Sequence, residues 1–249
     1  MYIFPNFNLA LLEISINIMK VSVIIPCYNE INTINKIILK IKKAFSKTNY
    51  EIIIVDDFSN DGTTKLLKNT YKKNKKIKIL YNNINLGKGA SLRKGFSESL
   101  GDIICIQDAD LEYDPIDLLP MITLIRNNSA DVVYGSRFIN SKKKKKESIL
   151  NRIANKLLTA LGNFCFRVKL TDMQTCYKLI PTKIFKKLDL KENRFAFDPE
   201  VTAKLAKNKN LRWKEIPITY NPRTVDEGKK IRWRDGFRAL FSIVRYGLF

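Results

Sequence analysis

From Val21 onward, short apolar runs alternate with segments of helical period. Val21 to Ile25 reads as a buried strand that ends in Pro26-Cys27-Tyr28-Asn29-Glu30. Ile31, Ile34, Ile38, Ile41 and Phe45 then fall at helical spacing with lysines on the other side. Glu51 to Val55 predicts a second strand closed by Asp56-Asp57, and Asp61-Gly62-Thr63-Thr64 opens a second helix. A third strand near Ile77 to Tyr81 leads through Asn85-Leu86-Gly87-Lys88-Gly89-Ala90 to a third helix. Asp102 to Gln107 predicts a fourth strand, followed by Asp108-Ala109-Asp110. This order predicts a doubly wound, mostly parallel α/β sheet, whose ligands bind beyond the carboxyl ends of the strands. Polar or acidic residues stand at each of those ends, so the fold expectation is also a site expectation.

The second half is less regular. Ala130 to Tyr134 predicts a strand before Gly135-Ser136-Arg137, and five consecutive lysines, Lys142 to Lys146, predict a solvated loop. Helical patterns run through Asn151 to Phe166 and Pro199 to Ala206, and a short strand is expected within Arg212 to Tyr220. A terminal helix puts Phe237, Leu240, Phe241, Val244 and Leu248 on one face, beside Arg234, Arg238 and Arg245. Such a helix can lie in the headgroup plane of an anionic membrane or pack on its own core. No stretch reaches the roughly 18 apolar residues of a membrane span. Residues 1–18 hold Pro5 and Glu13 and lack a basic leader, so they are expected to be a dispensable extension or a mis-assigned start before Met19.

Composition narrows the chemistry. With 249 residues, 45% hydrophobic and 28% charged, one large domain with a buried core is expected. There is no histidine, which excludes histidine-dependent nucleophilic catalysis and histidine-bound zinc and leaves carboxylates to hold any metal. Cys27, Cys105, Cys165 and Cys176 are widely spaced and read as reduced residues of a cytoplasmic protein. The 45 basic residues against 24 acidic ones leave +21, a field that suits phosphorylated small molecules or anionic lipid. Nucleic acid is the third class of partner such a charge can draw, but no motif interleaves aromatic with basic residues, and none is expected to bind. Asp108, Asp110 and Glu112 place three carboxylates at alternating positions beyond a strand, hard oxygen ligands suited to Mg²⁺ or Mn²⁺.

Five segments, Val21 to Glu30, Ile54 to Thr63, Asn85 to Ala90, Gln107 to Pro115 and Tyr134 to Phe138, occur in the order found in family 2 glycosyltransferases. The chain resembles that family from about Lys20 to its C-terminus, and is most similar to the dolichyl-phosphate or polyprenyl-phosphate sugar synthase branch. The resemblance implies a single GT-A type domain over residues 19–249, with a nucleotide-sugar half over about 20–138, an acceptor half over about 139–233 and an amphipathic helix over 234–249. It implies that Pro26, Tyr28, Glu30, Asp56 and Asp57 line the nucleotide pocket, with Asp57 accepting an N–H of the base. Lys88, Arg223 and Lys229 would meet the donor phosphates, the last two within a basic run that includes Lys230 and Arg232, and Asp108 would belong both to the nucleotide-sugar site and to the metal. Asp110 would join the metal, and Arg137 would hold an anion near the reacting phosphates. Asp172, with Asp198 and Glu200 as rivals, is the candidate acceptor-side carboxylate. Phe58 departs from the family, which often has glycine there, and only the local turn is affected.

The activity expected from the resemblance is metal-dependent transfer, with inversion, of a sugar from a UDP- or GDP-sugar to a polyprenyl phosphate. Such an enzyme would work peripherally at the cytoplasmic face of a membrane. Transfer to a saccharide hydroxyl is the alternative and would require a carboxylate base.

Overall fold

The computed structural model describes residues 19–139, 148–224, 227–228 and 233–248. The expected N-terminal extension, the lysine run at 142–146, and Lys229, Lys230 and Arg232 lie outside them.

The core is a seven-stranded sheet. In chain order its strands are β1 (Val21–Cys27), β2 (Tyr50–Asp56), β3 (Ile77–Tyr81), β4 (Ile103–Ile106), β5 (Val132–Ser136), β6 (Lys178–Pro181) and β7 (Trp213–Pro217). Their spatial order is β3-β2-β1-β4-β6-β5-β7. β6 runs antiparallel to β4 and β5, while the β1–β2, β1–β4, β2–β3 and β5–β7 pairs are parallel. The doubly wound, mostly parallel sheet expected from the sequence is therefore present. β6 was not foreseen.

The helices are α1 (Ile34–Ala44), α2 (Thr63–Tyr71), α3 (Lys88–Ser97), α4 (Leu118–Arg126), α5 (Ile149–Phe166), α6 (Thr182–Phe185), α7 (Phe197–Ala206) and α8 (Trp233–Leu248). Ile34, Ile37, Ile38 and Ile41 form the fully buried stripe of α1; Ile34, Ile38 and Ile41, with Phe45 just beyond the helix, are buried as their spacing predicted, whereas Ile31 precedes the helix and is exposed. Each such side chain removed from water contributes on the order of 2 kcal/mol. α3 approaches the sheet through Gly95, where an added Cβ would stand 2.4 Å from Ile24.

Strand order reverses around β1, with β2 on one side and β4 on the other, and such a switch point leaves a crevice at the carboxyl ends. The backbone there is unusual: Asn29, Phe58 and Leu111 all have positive φ, at 51°, 66° and 65°. The position where the related family often has glycine thus does adopt the left-handed conformation, and Phe58 bears it at a cost on the order of 1 kcal/mol.

α8 lies against α5 and α7. It buries Ala239, Ser242 and Ile243 and leaves Phe237, Leu240, Phe241 and Val244 exposed. One face of the helix thus packs on the core, while these apolar positions, expected from its spacing, stay outside.

Candidate active site at the carboxyl edge of the sheet

Three turns build the site. After β1, Asn29 accepts the Asn60 amide at 2.9 Å and the Glu30 N–H donates to Thr63 at 3.0 Å, so the β1 and β2 ends are stitched together. Pro26 and Tyr28 stand partly exposed on that end. The Glu30 carboxylate accepts from the Thr33 hydroxyl at 2.5 Å and turns toward the crevice. After β4, Gln107 is buried, accepts the Tyr177 hydroxyl at 2.6 Å and holds the strand end in place for Asp108. Leu111 then reverses the chain, and the Glu112 N–H donates to Asp110 at 3.0 Å.

The four acids Glu30, Asp108, Asp110 and Glu112 are met by two cations. Lys88, the first residue of α3, sets its Nζ 2.6 Å from Asp108. Arg223 reaches Asp110 at 3.1 Å, Glu30 at 3.2 Å and Glu112 at 3.7 Å. Burial, with Asp108 and Glu112 nearby, lifts the Asp110 carboxyl to about 7 against the pull of Arg223. The Lys88 ammonium is held charged, because Asp108 overcomes the burial that would discharge it. Six of the residues singled out from sequence thus converge on one crevice: Glu30, Lys88, Asp108, Asp110, Glu112 and Arg223.

Other expectations change. No cluster of three metal-binding side chains forms among the described residues. Glu112 does not complete a three-carboxylate set, because its Oε1 accepts the Arg223 backbone N–H at 2.9 Å and the side chain is buried. Asp108 and Asp110 remain, and two carboxylates suit a divalent ion whose other ligands are phosphate and water. Lys88 and Arg223 already supply positive charge at these two carboxylates, so the donor set fits a cation.

Asp57 was read for the nucleotide base, yet both of its oxygens are engaged by the protein. They accept from Asn82 at 2.8 Å, the Leu86 N–H at 2.9 Å and the Gly87 N–H at 2.7 Å. These bonds hold the turn that leads into Lys88. Asp56 is bound by the Ser59 and Thr64 hydroxyls.

None of the three candidate acceptor-side carboxylates stands free. Asp172 is fully buried and grips Arg137 through two 2.7 Å bonds, and it also accepts the Arg137 backbone N–H at 3.0 Å. Arg137 lies 5.2 Å from the Tyr220 ring, and Asp172 keeps it charged despite burial. Asp198 pairs at 2.5 Å with Lys178, a fully buried lysine that sequence reasoning overlooked. Glu200 is fully buried among four donors: the Lys191 N–H, the Glu192 N–H, the Tyr246 hydroxyl and the Lys204 ammonium. A carboxylate so occupied is no free base.

Residues 22–189 match the family model described as glycosyl transferase family 2. The chain belongs to that family. It is 28% identical over 230 residues to a dolichol-phosphate mannosyltransferase of Pyrococcus furiosus, a match covering 91% of this chain and 63% of that protein. It is 26% identical over 247 residues to a dolichyl-phosphate beta-glucosyltransferase of Trichomonas vaginalis, covering 92% of this chain and 73% of that one. The chain thus spans less than two thirds of the Pyrococcus protein's length. Among solved structures, glucosyl-3-phosphoglycerate synthase of Mycobacterium tuberculosis, solved with Mn²⁺, UDP and glucosyl-3-phosphoglycerate, superposes with a TM-score of 0.71. It shares 15% identity, and the match covers 100% of this chain and 87% of that one, which places both in the same GT-A fold.

Proposed function

We propose that this chain transfers a sugar from a UDP- or GDP-sugar to a polyprenyl phosphate, in one displacement with inversion at the anomeric carbon. The observation that carries the reading is the convergence of Asp108, Asp110, Lys88 and Arg223 at the sheet's switch point. Asp108 and Asp110 would hold Mg²⁺ or Mn²⁺, which supplies Lewis-acid stabilisation of the departing nucleotide diphosphate. Lys88 and Arg223, freed from the carboxylates when the donor arrives, would bind its phosphates. Once turned to the phosphates, these two positive charges would face the leaving group where its negative charge develops and stabilise the transition state there. Pro26 and Tyr28 would meet the nucleoside, and the relatives named for dolichyl-phosphate substrates support the choice of acceptor.

The occupied acids favour that acceptor over a saccharide hydroxyl. A phosphate oxygen is already anionic at neutral pH and needs no base, whereas a hydroxyl must lose its proton to one. Asp172, Asp198 and Glu200 are each held by cations or N–H donors.

A lipid acceptor requires a meeting place. No helix among the described residues is long and apolar enough to cross a membrane. Of the sixteen large apolar side chains exposed among the described residues, nine lie on the neighbouring helices α5 and α8. Phe164 and Phe241 are 82% and 68% exposed, and Arg152, Arg238 and Arg245 lie on the same two helices. That combination fits the anionic surface of a membrane.

The deciding assay supplies Mn²⁺, a panel of UDP- and GDP-sugars and polyprenyl phosphate, and follows nucleotide diphosphate release and labelled sugar in organic solvent. Lipid-soluble product supports the reading. Release of diphosphate with label only in water-soluble saccharide would replace it with the hydroxyl acceptor.

A further inference from the structure

The four donors around Glu200 do more than satisfy a buried charge. Two of them, the Lys191 and Glu192 N–H groups at 2.7 and 2.8 Å, belong to the loop between α6 and α7. The next part of that loop lies on the first turn of α3. The Ala90 N–H donates to the Asn193 carbonyl at 3.1 Å, and Arg93 donates to the Glu192 carbonyl and the Asn193 side chain. The approach is so close that a Cβ on Gly87 would stand 2.6 Å from the Asn193 oxygen, and one on Gly89 2.2 Å from the Glu192 oxygen. Two glycines are therefore needed for backbone to meet backbone. Between them sits Lys88, on Asp108.

Asp57 fixes the N-terminal side of this lysine by binding the Leu86 and Gly87 N–H groups. The loop pinned by Glu200 fixes the C-terminal side. We infer that Glu200 is a positioning residue for Lys88: it locks the 191–193 backbone, which clamps Gly87 and Gly89 and so aims the ammonium at the donor phosphates. The inference rests on the proposed donor reading for Lys88. It also gives Tyr246 a part, because its hydroxyl bridges Glu192 and Glu200 at 3.1 Å each and ties α8 to the same clamp.

A buried carboxylate that only supported the fold would act on donor binding independently of Lys88. One that works through Lys88 would not, and a double-mutant cycle separates the two. The experiment measures UDP and GDP binding in Mn²⁺ by calorimetry for wild type, Glu200→Gln, Lys88→Met and the double variant. Glu200→Gln is expected to weaken the nucleotide that binds about tenfold, the usual size of a supporting-residue effect, and to change little once Lys88 is methionine. Equal losses in both backgrounds, or no loss, would overturn the inference. If Glu200→Gln does not fold, Tyr246→Phe keeps the carboxylate and removes one donor, and it should give a smaller loss with the same dependence on Lys88. Hydrogen exchange provides a readout without nucleotide: the Ala90 amide should exchange faster in Glu200→Gln or Tyr246→Phe, and unchanged protection would overturn the clamp. Failure of wild type to bind either nucleotide would sink the donor reading instead, leaving exchange to decide the clamp.

Discussion

The Arg223 guanidinium lies 3.1 Å from the Asp110 carboxylate and 3.2 Å from Glu30, so the protein's own cation holds one of the two acids that the proposed metal would use. A divalent ion entering without donor must displace it. Arg223→Ala should therefore bind Mn²⁺ more tightly in nucleotide-free protein, by about tenfold for a partly buried charge pair. The same variant should bind UDP or GDP more weakly, having lost a phosphate partner. Calorimetric titration of both ligands checks the two opposite shifts. Weaker Mn²⁺ binding in the variant would show that Arg223 supports the metal rather than competing with it.

Asp110→Asn keeps the shape of the side chain and removes the charge. An amide oxygen binds a hard cation far less well than a carboxylate, so transfer should fall by at least about 100-fold while thermal unfolding changes little. Burial raises the Asp110 carboxyl, so its charge does not favour the folded state, which is why stability should survive. Retained activity, or full wild-type activity in excess EDTA, would contradict the metal assignment.

The sequence made the first half of the fold legible because its strands are long and apolar and its helices amphipathic. Ile34, Ile38 and Ile41 repeat at helical spacing and are buried where that spacing put them. β6 escaped because it has only four residues, begins with Lys178 and ends with Pro181. Lys178 is tolerated there through Asp198, a pairing 20 residues away that no local pattern reveals. The same reason governs the site. Motif position brought Asp108, Asp110, Lys88 and Arg223 forward, but whether a carboxylate faces substrate or protein depends on partners distant in sequence. Asp57, Asp172 and Glu200 all looked available as letters, and each is taken by donors from other segments. Phe58 marks the converse case, in which a residue other than glycine takes a positive φ that its side chain does not favour.

Glu51 offers a test of stability against pH. Its carboxylate accepts from Lys20 at 2.6 Å, Ser22 at 2.6 Å and the Leu100 N–H at 2.7 Å, joining β1, β2 and the turn before β4. Burial pushes its pKa up, but the bonds from Lys20, Ser22 and Leu100 outweigh burial and hold it below the ordinary glutamate value. A depressed folded-state pKa stabilises the fold above the unfolded value, and the contribution disappears as pH falls through the folded one. Discounted for solvent screening, the loss in Glu51→Gln at pH 7 should be about 1 kcal/mol. Urea unfolding at pH 7 and at about pH 3 should show the difference between variant and wild type closing only below about pH 4. A difference independent of pH would mean that the carboxylate's shape, not its charge, matters.

The exposed helices decide where the protein works. Ile243 is fully buried against α5 and α7, whereas Phe241, two residues earlier, is 68% exposed, so substitutions at the two positions should have different consequences. Phe241→Asp and Phe164→Asp should fold with near wild-type thermal stability, because neither ring contributes much to the core, while Ile243→Asp should destabilise the protein severely. If α5 and α8 together form a membrane-facing surface, wild type should cosediment with anionic liposomes at low salt, and each exposed variant should bind less. Each basic residue near an anionic leaflet adds about 1 kcal/mol and is screened within a Debye length, so binding should decline progressively toward molar NaCl. Apolar insertion is less sensitive to salt, so a residue of binding that persists at high salt should be the part removed by Phe164→Asp and Phe241→Asp. Wild-type protein that ignores anionic liposomes at low salt would remove the membrane surface from the proposed function and favour a water-soluble acceptor.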